Sequence, residues 1–295
     1  MSAPSPGPLP APLPAAELRV EVEGGRYLAG LDWGGSGTDV LILHANGFCG
    51  GTYEPVVAAL GGALRCFALD LWGHGATPCP VPAGQLSTEA MALDVAAFLD
   101  AWPGRSVHLV GHSLGGIVAT LVERLRPQRV GRLVLCEPVI LAPPPLTDRT
   151  EGPSPMSEAA RRRRRVWPDR DTMRERYAAR PPMDGFAPAA LDAYLRHGVR
   201  DREDGQVELA CDPEVEAAIF EMTPGPRGAW PAWEHLAHLR APTTIVSGRA
   251  TTLPEGLFEL QADRAGCEHL TVEGGHLFPH EDPAGTARLL ASLLR

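Results

Sequence analysis

A serine stands between glycines in the sequence Gly111-His112-Ser113-Leu114-Gly115-Gly116, which directly follows the apolar run Val107–Val110. The apolar run predicts a buried strand, and Leu114–Leu125 has the spacing of a helix. A GxSxG pattern at such a junction is typical of a nucleophilic serine, because the glycines let neighbouring backbone come close and the tight turn holds the hydroxyl above the sheet edge. The N-terminus of the following helix stabilises negative charge that develops there. We therefore predict that Ser113 is a catalytic nucleophile.

A serine hydroxyl needs an adjacent base to become a strong nucleophile. His276 follows the glycine pair Gly274-Gly275 just after the last predicted strand, so its ring can reach across the sheet edge. His280 is the competing histidine, and its position before two acidic residues favours a solvated or structural role. We predict that His276 is the base.

The negative oxygen that forms during attack needs hydrogen-bond donors. One predicted donor is the backbone N–H of Leu114, immediately after the nucleophile. The other is the N–H of Phe48, in the loop after an early strand, where Gly47 permits a sharp turn. His44 and Asn46 in the same loop are interpreted as structural braces and not as catalytic residues.

Apolar runs and helical spacing alternate along the chain on both sides of the serine. The predicted strands are Glu17–Glu23, Tyr27–Asp32, Val40–Leu43, Cys66–Leu69, Val107–Val110, Leu133–Cys136, Thr243–Ser247 and His269–Val272. The predicted helices are Glu54–Leu64, one that begins after Ser87, Leu114–Leu125, Pro254–Ala265 and Ala284–Leu294. This order favours an α/β fold with a mostly parallel central sheet and helices on both faces. Residues 139–240 interrupt it, since they are rich in proline, arginine and short helical patterns and contain no convincing buried strand.

The composition excludes several classes of protein. The chain has 295 residues, 44% of them hydrophobic, which is enough for a sizeable core. It contains 27 arginines and no lysine, so mechanisms built on a Schiff-base lysine or a P-loop lysine are excluded. The net charge of −9 argues against nucleic acid as a partner. No run of about 18 apolar residues is present, so no membrane span is expected.

One segment of this acidic chain is basic, with nine arginines against three acidic residues between Arg161 and Arg180. The consecutive arginines Arg161–Arg165 could attract an anionic substrate or surface. They could instead form a solvated helix face that pairs with the acidic residues of the chain. The second interpretation is favoured, because five consecutive residues point to all sides of a helix.

Residues 1–16 alternate proline with small residues, which predicts an extended, disordered tail. They lack the basic start and apolar stretch of an export signal, so we expect a cytoplasmic protein with reduced thiols. The six cysteines are scattered without a CxxC pair, which argues against a metal framework. Neither a metal nor an organic cofactor is expected.

These motifs together resemble those of the α/β-hydrolase fold family. The matching stretches are the loop 44–48, the segment Asp70-Leu-Trp-Gly-His-Gly75, the serine turn Gly111–Gly116 and the histidine loop Gly274–Pro279. The resemblance covers nearly the whole chain after residue 20. It implies a hydrolase core of residues 17–138 and 241–295, with a helical cap of residues 139–240 over the pocket. It also implies that the Asp70–Gly75 turn is architectural, and it specifies no substrate.

The third catalytic residue departs from the usual pattern of that family. The family usually has an aspartate shortly after the strand that follows the cap, but the corresponding position near Thr251 has no carboxylate. Some members carry the acid at the end of the strand before the cap, which here is Glu137. A carboxylate there can accept a hydrogen bond from His276 and fix its tautomer. Glu137 is the predicted acid, with Glu255 as the alternative and Asp148 as a weaker one.

The resemblance implies a serine hydrolase that cleaves an ester or related acyl bond through an acyl-enzyme intermediate. A carboxylesterase acting on a small or medium apolar acyl substrate is the favoured form. Lipase, lactonase, amidase, thioesterase, perhydrolase and carbon–carbon bond hydrolase activities stay open, because their differences lie in the cap and pocket. A non-catalytic ligand-binding protein also stays open, and the missing acid near Thr251 is the one feature in its favour.

Overall fold

A sheet of eight strands forms the centre of the molecule. The structure is a computed structural model, which describes residues 12–104 and 106–294. Its strands are β1 (Ala16–Val22), β2 (Arg26–Gly34), β3 (Asp39–Leu43), β4 (Arg65–Leu69), β5 (Val107–His112), β6 (Val130–Cys136), β7 (Val166–Trp167), β8 (Val199–Asp201), β9 (Val207–Leu209), β10 (Thr243–Gly248) and β11 (Glu268–Val272). The central sheet has the order β1-β2-β4-β3-β5-β6-β10-β11. Its strands are parallel from β4 onward, and the hairpin of β1 and β2 joins the edge antiparallel.

Helices cover both faces of this sheet. They are α1 (Glu54–Leu60), α2 (Thr88–Ala101), α3 (Leu114–Leu125), α4 (Pro155–Arg161), α5 (Arg170–Ala178), α6 (Pro188–His197), α7 (Pro213–Met222), α8 (Trp230–Leu236), α9 (Leu257–Ala265), α10 (Phe278–Glu281) and α11 (Pro283–Leu293). The apolar residues of α2, α3 and α9 pack on one face, and those of α1 and α11 pack on the other. The prediction of an α/β fold with a mostly parallel sheet between helices is confirmed.

The central strands are apolar along their whole length, because helices cover them on both sides. In β3, Val40 and Ile42 pack towards α1 and α11, while Leu41 and Leu43 pack towards α2 and α3. All four side chains are at most 1% exposed. Burial of each contributes roughly 1.5–3 kcal/mol to the free energy of unfolding. The buried strands therefore fix the positions at which the following loops begin.

Two helices differ from the predicted ones by three or more residues at one end, and a glycine explains each difference. The helix predicted over 54–64 ends at Leu60, because Gly61 adopts a left-handed φ of 61° that terminates it. Helix α9 begins at Leu257 and not at residue 254, because Gly256 precedes it with a φ of 75°. Ser87 directly precedes α2 as expected, but its side chain makes no capping hydrogen bond.

Residues 139–240, which we call the insertion, lie between β6 and β10. They contain α4 to α8 and also a small antiparallel sheet in the order β7-β9-β8. The sequence predicts no buried strand in this range, and that prediction is wrong. The three strands are two or three residues long, too short for an alternating apolar pattern to stand out.

An apolar cluster joins the insertion to loops at the carboxyl ends of the central strands. Phe48 follows β3 and Leu277 follows β11, and both pack in one cluster with Leu191 and Tyr194 of α6. The Phe48 and Tyr194 rings meet edge to face, with centroids 5.5 Å apart. The insertion therefore packs against the loops that follow β3 and β11.

The carboxylate of Glu54, at the start of α1, makes a second connection between the insertion and the core. It accepts hydrogen bonds from the Arg196 guanidinium at 2.9 Å and from His197 Nε2 at 2.8 Å. It also accepts the backbone N–H of Leu13 at 3.1 Å. Of the predicted tail, residues 1–11 lie outside the described residues, and Ala16 is the first residue of β1.

Substitution of Gly115 by alanine tests the close contact between α3 and β3. A Cβ at Gly115 would lie 2.0 Å from the carbonyl oxygen of Leu43. Alanine favours a helix over glycine by about 1 kcal/mol, but overpacking against rigid backbone costs about 1–3 kcal/mol. We expect Gly115→Ala to lower the free energy of unfolding measured by urea titration. Gly84→Ala is the control, since a Cβ there meets no atom within 4 Å; equal stability of both variants would contradict the expectation.

Candidate active site

The turn between β5 and α3 presents Ser113. The residue has a φ of 56°, a backbone conformation that residues other than glycine rarely adopt. Its N–H donates to the carbonyl of Cys136 at 3.0 Å, and its own carbonyl accepts the N–H of Gly116 at 3.0 Å. A Cβ at Gly111 would lie 2.5 Å from the carbonyl oxygen of Gly115. The glycines of the motif thus allow the close approach that the turn requires.

His276 lies in the loop after β11, and its ring faces the serine. Its Nε2 is 3.0 Å from the Ser113 hydroxyl oxygen. The loop turns at Gly274, which has a φ of 107°. The backbone carbonyl of His276 accepts a hydrogen bond from His112 Nε2 at 2.8 Å, and His112 Nδ1 in turn accepts the Tyr53 hydroxyl at 2.6 Å. The backbone of the loop that carries the His276 ring is therefore held by hydrogen bonds to His112 and, through it, to Tyr53.

Glu137 directly follows β6 and completes a line of three side chains. His276 Nδ1 lies 3.0 Å from Glu137 Oε2. The Glu137 side chain is fully buried, and its φ is 48°. Glu255 and Asp148, the alternative acids, are both solvent-exposed, and in the described part of the chain neither contacts His276. The structure thus brings together Ser113, His276 and Glu137, and it does not place Glu255 or Asp148 beside them.

Two residues, one at the end of β10 and one in the loop after it, hold the Glu137 carboxylate. The backbone N–H of Gly248 donates to Oε1 at 2.6 Å, and the Thr251 hydroxyl donates to Oε2 at 2.7 Å. Because β6 and β10 are parallel neighbours, the end of one strand lies beside the loop after the other. Sequence reasoning missed these two roles. The available clue was Thr251, a hydroxyl residue at the position where the family usually has a carboxylate.

The two predicted oxyanion donors differ in the structure. Leu114 is the first residue of α3, so its N–H has no acceptor within the helix, and no other described residue supplies one. The N–H of Phe48 donates to the carbonyl of Ala45 at 3.2 Å, within its own loop. One predicted donor is therefore available, while the other is engaged in a turn.

Hydrogen bonds hold the loop that contains Phe48. His44 Nδ1 donates to the carbonyl of Ala45 at 2.8 Å, and His44 Nε2 accepts the N–H of Leu71 at 2.9 Å. The Asn46 amide donates to the carbonyl of Glu216 in the insertion at 2.9 Å. The His74 ring accepts the N–H of Gly47 at 3.0 Å. His44 and Asn46 therefore occupy bracing positions.

His280 is only 1% exposed, so the solvated role considered for it is wrong. Its ring stacks on Phe48 with centroids 5.0 Å apart, and it also contacts Tyr53 and Phe186. Burial lowers the pKa of His280 to about 3, so the ring is neutral at physiological pH. It forms part of the apolar surroundings of the site.

The arginine run is mostly a surface feature. Four of its five members pair with acidic residues or stack on an aromatic ring at the surface of the insertion: Arg161 with Glu214 and Glu221, Arg162 with Glu158, Arg164 over Trp167, and Arg165 with Glu208 and Asp212. Arg163 differs, because its guanidinium is partly buried and contacts Glu216, Tyr177 and Tyr194 within the insertion. The favoured interpretation is right that four of the five arginines are solvated and paired, but it is wrong about the helix, because α4 ends at Arg161.

Known proteins share this fold. The sequence model of the Alpha/beta hydrolase family matches residues 40–289. The chain is 39% identical over 122 residues to the dihydrolipoyllysine-residue acetyltransferase component of an acetoin cleaving system from Pseudomonas putida, covering 41% of this chain and 32% of that protein. It is 35% identical over 102 residues to a pimeloyl-acyl-carrier-protein methyl ester esterase from Aeromonas hydrophila, covering 34% of this chain and 37% of that protein.

The solved structure of the thioesterase domain from the curacin biosynthetic pathway has a TM-score of 0.76 to this chain at 20% identity. The match covers 95% of this chain and 99% of that domain, and at this identity it shows the fold alone. The chain matches about a third of the length of the curated relatives named above. Within the described residues, no helix is long and apolar enough to cross a membrane.

Buried histidines around the site make stability depend on pH. Burial lowers the pKa of His74 to about 4 and that of His280 to about 3, against 6.5 for an exposed ring. The unfolded chain therefore binds more protons between pH 6.5 and 4, so the free energy of unfolding falls as the pH drops through that range. Each of the two rings contributes a loss of about 2 kcal/mol at pH 5.

Urea titrations at pH 7.5, 6 and 5 measure this loss directly. The slope of the free energy of unfolding against pH reflects how many more protons the unfolded chain binds. We expect His280→Asn to lower that number by about one between pH 6 and 5. His238→Asn is the matched control, because it replaces an exposed histidine. Identical pH dependence in the His280 variant and the unsubstituted protein would refute this assignment.

Proposed function

The chain belongs to the alpha/beta hydrolase family, and we propose that within it the protein is a serine hydrolase that cleaves carboxylic esters. The observation that carries this proposal is the hydrogen-bonded line of Ser113, His276 and Glu137, with 3.0 Å at each step. A nucleophile, a base and a group that orients the base are the three parts that acyl transfer needs.

The proposed reaction begins with attack of the Ser113 hydroxyl oxygen on the ester carbonyl carbon. His276 Nε2 accepts the hydroxyl proton, and His276 Nδ1 donates to Glu137, which keeps the ring in the tautomer that leaves Nε2 free. The tetrahedral intermediate collapses when His276 returns the proton to the departing alcohol. A water molecule then attacks the acyl-enzyme with His276 again as the base, and the carboxylic acid leaves.

The negative oxygen of the intermediate would be stabilised by the N–H groups of Leu114 and Phe48. Each such donor is worth roughly 3–4 kcal/mol in known enzymes. The Leu114 N–H stands at the N-terminus of α3, where the helix dipole adds to its effect. The Phe48 N–H would have to turn from the Ala45 carbonyl to the substrate.

We propose that the insertion acts as a cap that selects the acyl group. Its aromatic residues Phe186 and Tyr194 lie over Phe48, with ring centroids 6.1 and 5.5 Å from that ring. Ser113 is 7% exposed beneath this cover. The apolar cluster of Phe48, Tyr194 and Leu277, the last of which directly follows His276 in the chain, supports a small or medium apolar acyl group as substrate. The Aeromonas relative named as an ester hydrolase supports the ester as the bond that is cleaved.

A non-catalytic binding role has less support. The feature in its favour was the missing carboxylate near Thr251. The Glu137 carboxylate lies beside Thr251 and accepts its hydroxyl at 2.7 Å, so an acid is available to orient His276. A thiol ester differs from an ester in the leaving group, and no described residue favours it over an ester.

Replacement of the nucleophile tests the proposal most directly. We expect the protein to be labelled by a fluorophosphonate probe at Ser113, because the probe reacts with an activated serine. Ser113→Ala should abolish both labelling and hydrolysis of 4-nitrophenyl butyrate. Mass spectrometry of the labelled peptide and a stopped assay measure the two effects. A folded protein that the probe does not label would refute the serine mechanism.

Replacement of the acid separates Glu137 from its alternative. Glu137→Gln removes the charge and allows the wrong tautomer of His276, so kcat should fall about 10³- to 10⁴-fold. Glu255→Gln is the matched control and should leave kcat unchanged, since Glu255 is exposed. The reverse result in ester hydrolysis assays would assign the acid to Glu255.

Chain length tests the proposed acyl pocket. In a series of 4-nitrophenyl esters from acetate to palmitate, we expect kcat/KM to be greatest at short or medium length and to fall for long chains. The physical reason is that Ser113 is only 7% exposed beside the side chains that the insertion packs on the core. A rate that rises up to palmitate would contradict the small pocket and favour a lipase.

A further inference from the structure

We propose that Arg163 and Glu216 of the insertion are positioning residues for the loop Asn46–Phe48, and that they set the direction of the Phe48 N–H during catalysis. This role rests on the proposed function, because the Phe48 N–H matters only if it stabilises an oxyanion. Neither residue touches the serine, the histidine or the acid of the proposed site in the structure.

Arg163 is the member of the arginine run that turns inward. Its side chain is 21% exposed, whereas that of Arg162 beside it is 69% exposed. One guanidinium nitrogen, Nη1, forms an ion pair with the carboxylate of Glu216, which is itself only 9% exposed. The other, Nη2, donates to the hydroxyls of Tyr194 at 2.7 Å and Tyr177 at 3.2 Å.

This cluster joins the helices of the insertion. Arg163 follows α4, Tyr177 belongs to α5, Tyr194 to α6 and Glu216 to α7. A guanidinium has five N–H donors in a fixed plane, so it imposes a geometry on the groups it contacts. The four elements are therefore held in one arrangement above the core.

Each residue of the loop Asn46–Phe48 contacts a different part of this cluster. The Asn46 amide donates to the Glu216 backbone carbonyl at 2.9 Å. A Cβ at Gly47 would lie 2.8 Å from Glu216 Oε1 and 3.3 Å from Arg163 Nη1, so the ion pair lies directly against this glycine. The Phe48 ring meets the Tyr194 ring edge to face at 5.5 Å.

The contact at Gly47 explains why the ion pair would control the donor. Gly47 has a φ of 79°, and its freedom of rotation determines where the next N–H points. The Phe48 N–H donates to Ala45 at 3.2 Å, at the long end of the range for such bonds, so a small rotation would release it. A carboxylate pressed against Gly47 limits that rotation to a narrow range.

The experiment replaces the ion pair without leaving one buried charge alone. Breaking one partner of a buried pair is strongly destabilising, whereas an apolar pair of similar volume is often neutral. The test variant is therefore the double substitution Arg163→Met with Glu216→Leu. Arg162→Met, at the exposed neighbouring position, is the matched control. Kinetics use 4-nitrophenyl butyrate, and binding uses a trifluoromethyl ketone, which forms a tetrahedral adduct with an activated serine.

We expect the double variant to lose about 10- to 100-fold in kcat, because a misplacement of about 1 Å costs up to 10²-fold, while KM changes less than threefold. The inhibition constant of the trifluoromethyl ketone should rise by the same factor as kcat falls. Arg162→Met should match the unsubstituted protein in both measurements. If the double variant does not fold, Glu216→Gln is used, with an expected loss of about 10-fold in kcat.

The outcomes separate this inference from the proposed function. Unchanged kcat in the folded double variant, or in Glu216→Gln, overturns the positioning role while the hydrolase remains. A loss of kcat with no change in the inhibition constant also overturns it, because the oxyanion is then unaffected. Failure of the unsubstituted protein to react with fluorophosphonate refutes the proposed function, and the positioning role falls with it.

Discussion

The Glu137 carboxylate is fully enclosed by protein, and a charge in such a place is stable only when hydrogen-bond donors surround it. Gly248 at the end of β10 and Thr251 in the loop after it supply two donors, and His276 supplies a third from the loop after β11. One carboxylate thus fixes two loops relative to the end of β6. Through His276, it also fixes the distance to Ser113. The geometry of the candidate site depends on this single requirement.

Features that follow local rules of backbone and burial could be predicted from the sequence. The glycines around Ser113 specify a tight turn, and the boundaries of α3 agree with the prediction because its apolar spacing is regular. The runs of the central strands indicate a parallel sheet, because helices bury such strands on both faces. The choice of Glu137 as the catalytic acid could not be made from local patterns, because none separates it from Glu255. The resemblance to a known family supplied that choice.

Features that depend on distant contacts could not be predicted. The partners of Glu137 include Thr251, which lies more than a hundred residues away in the chain and carries no charge. Five identical arginines give no sign that Arg163 alone turns inward, because that depends on which face of the insertion packs against the core. The same holds for His280, whose acidic neighbours indicate a surface that the fold in fact buries. The small sheet of the insertion is too short to leave a periodic pattern.

Ser113 and Glu137 are the non-glycine residues with positive φ in the described part of the chain, and each follows one member of the register pair His112 and Cys136 on β5 and β6. Conformations of this kind cost roughly 1–3 kcal/mol per residue, and glycine would remove the cost. It would also remove the hydroxyl or the carboxylate. A laboratory selection for heat resistance alone would therefore favour glycine at Ser113, so directed evolution of this chain needs turnover as a second criterion in every round. Glycine at Glu137 would instead leave the donors of Gly248, Thr251 and His276 without their acceptor.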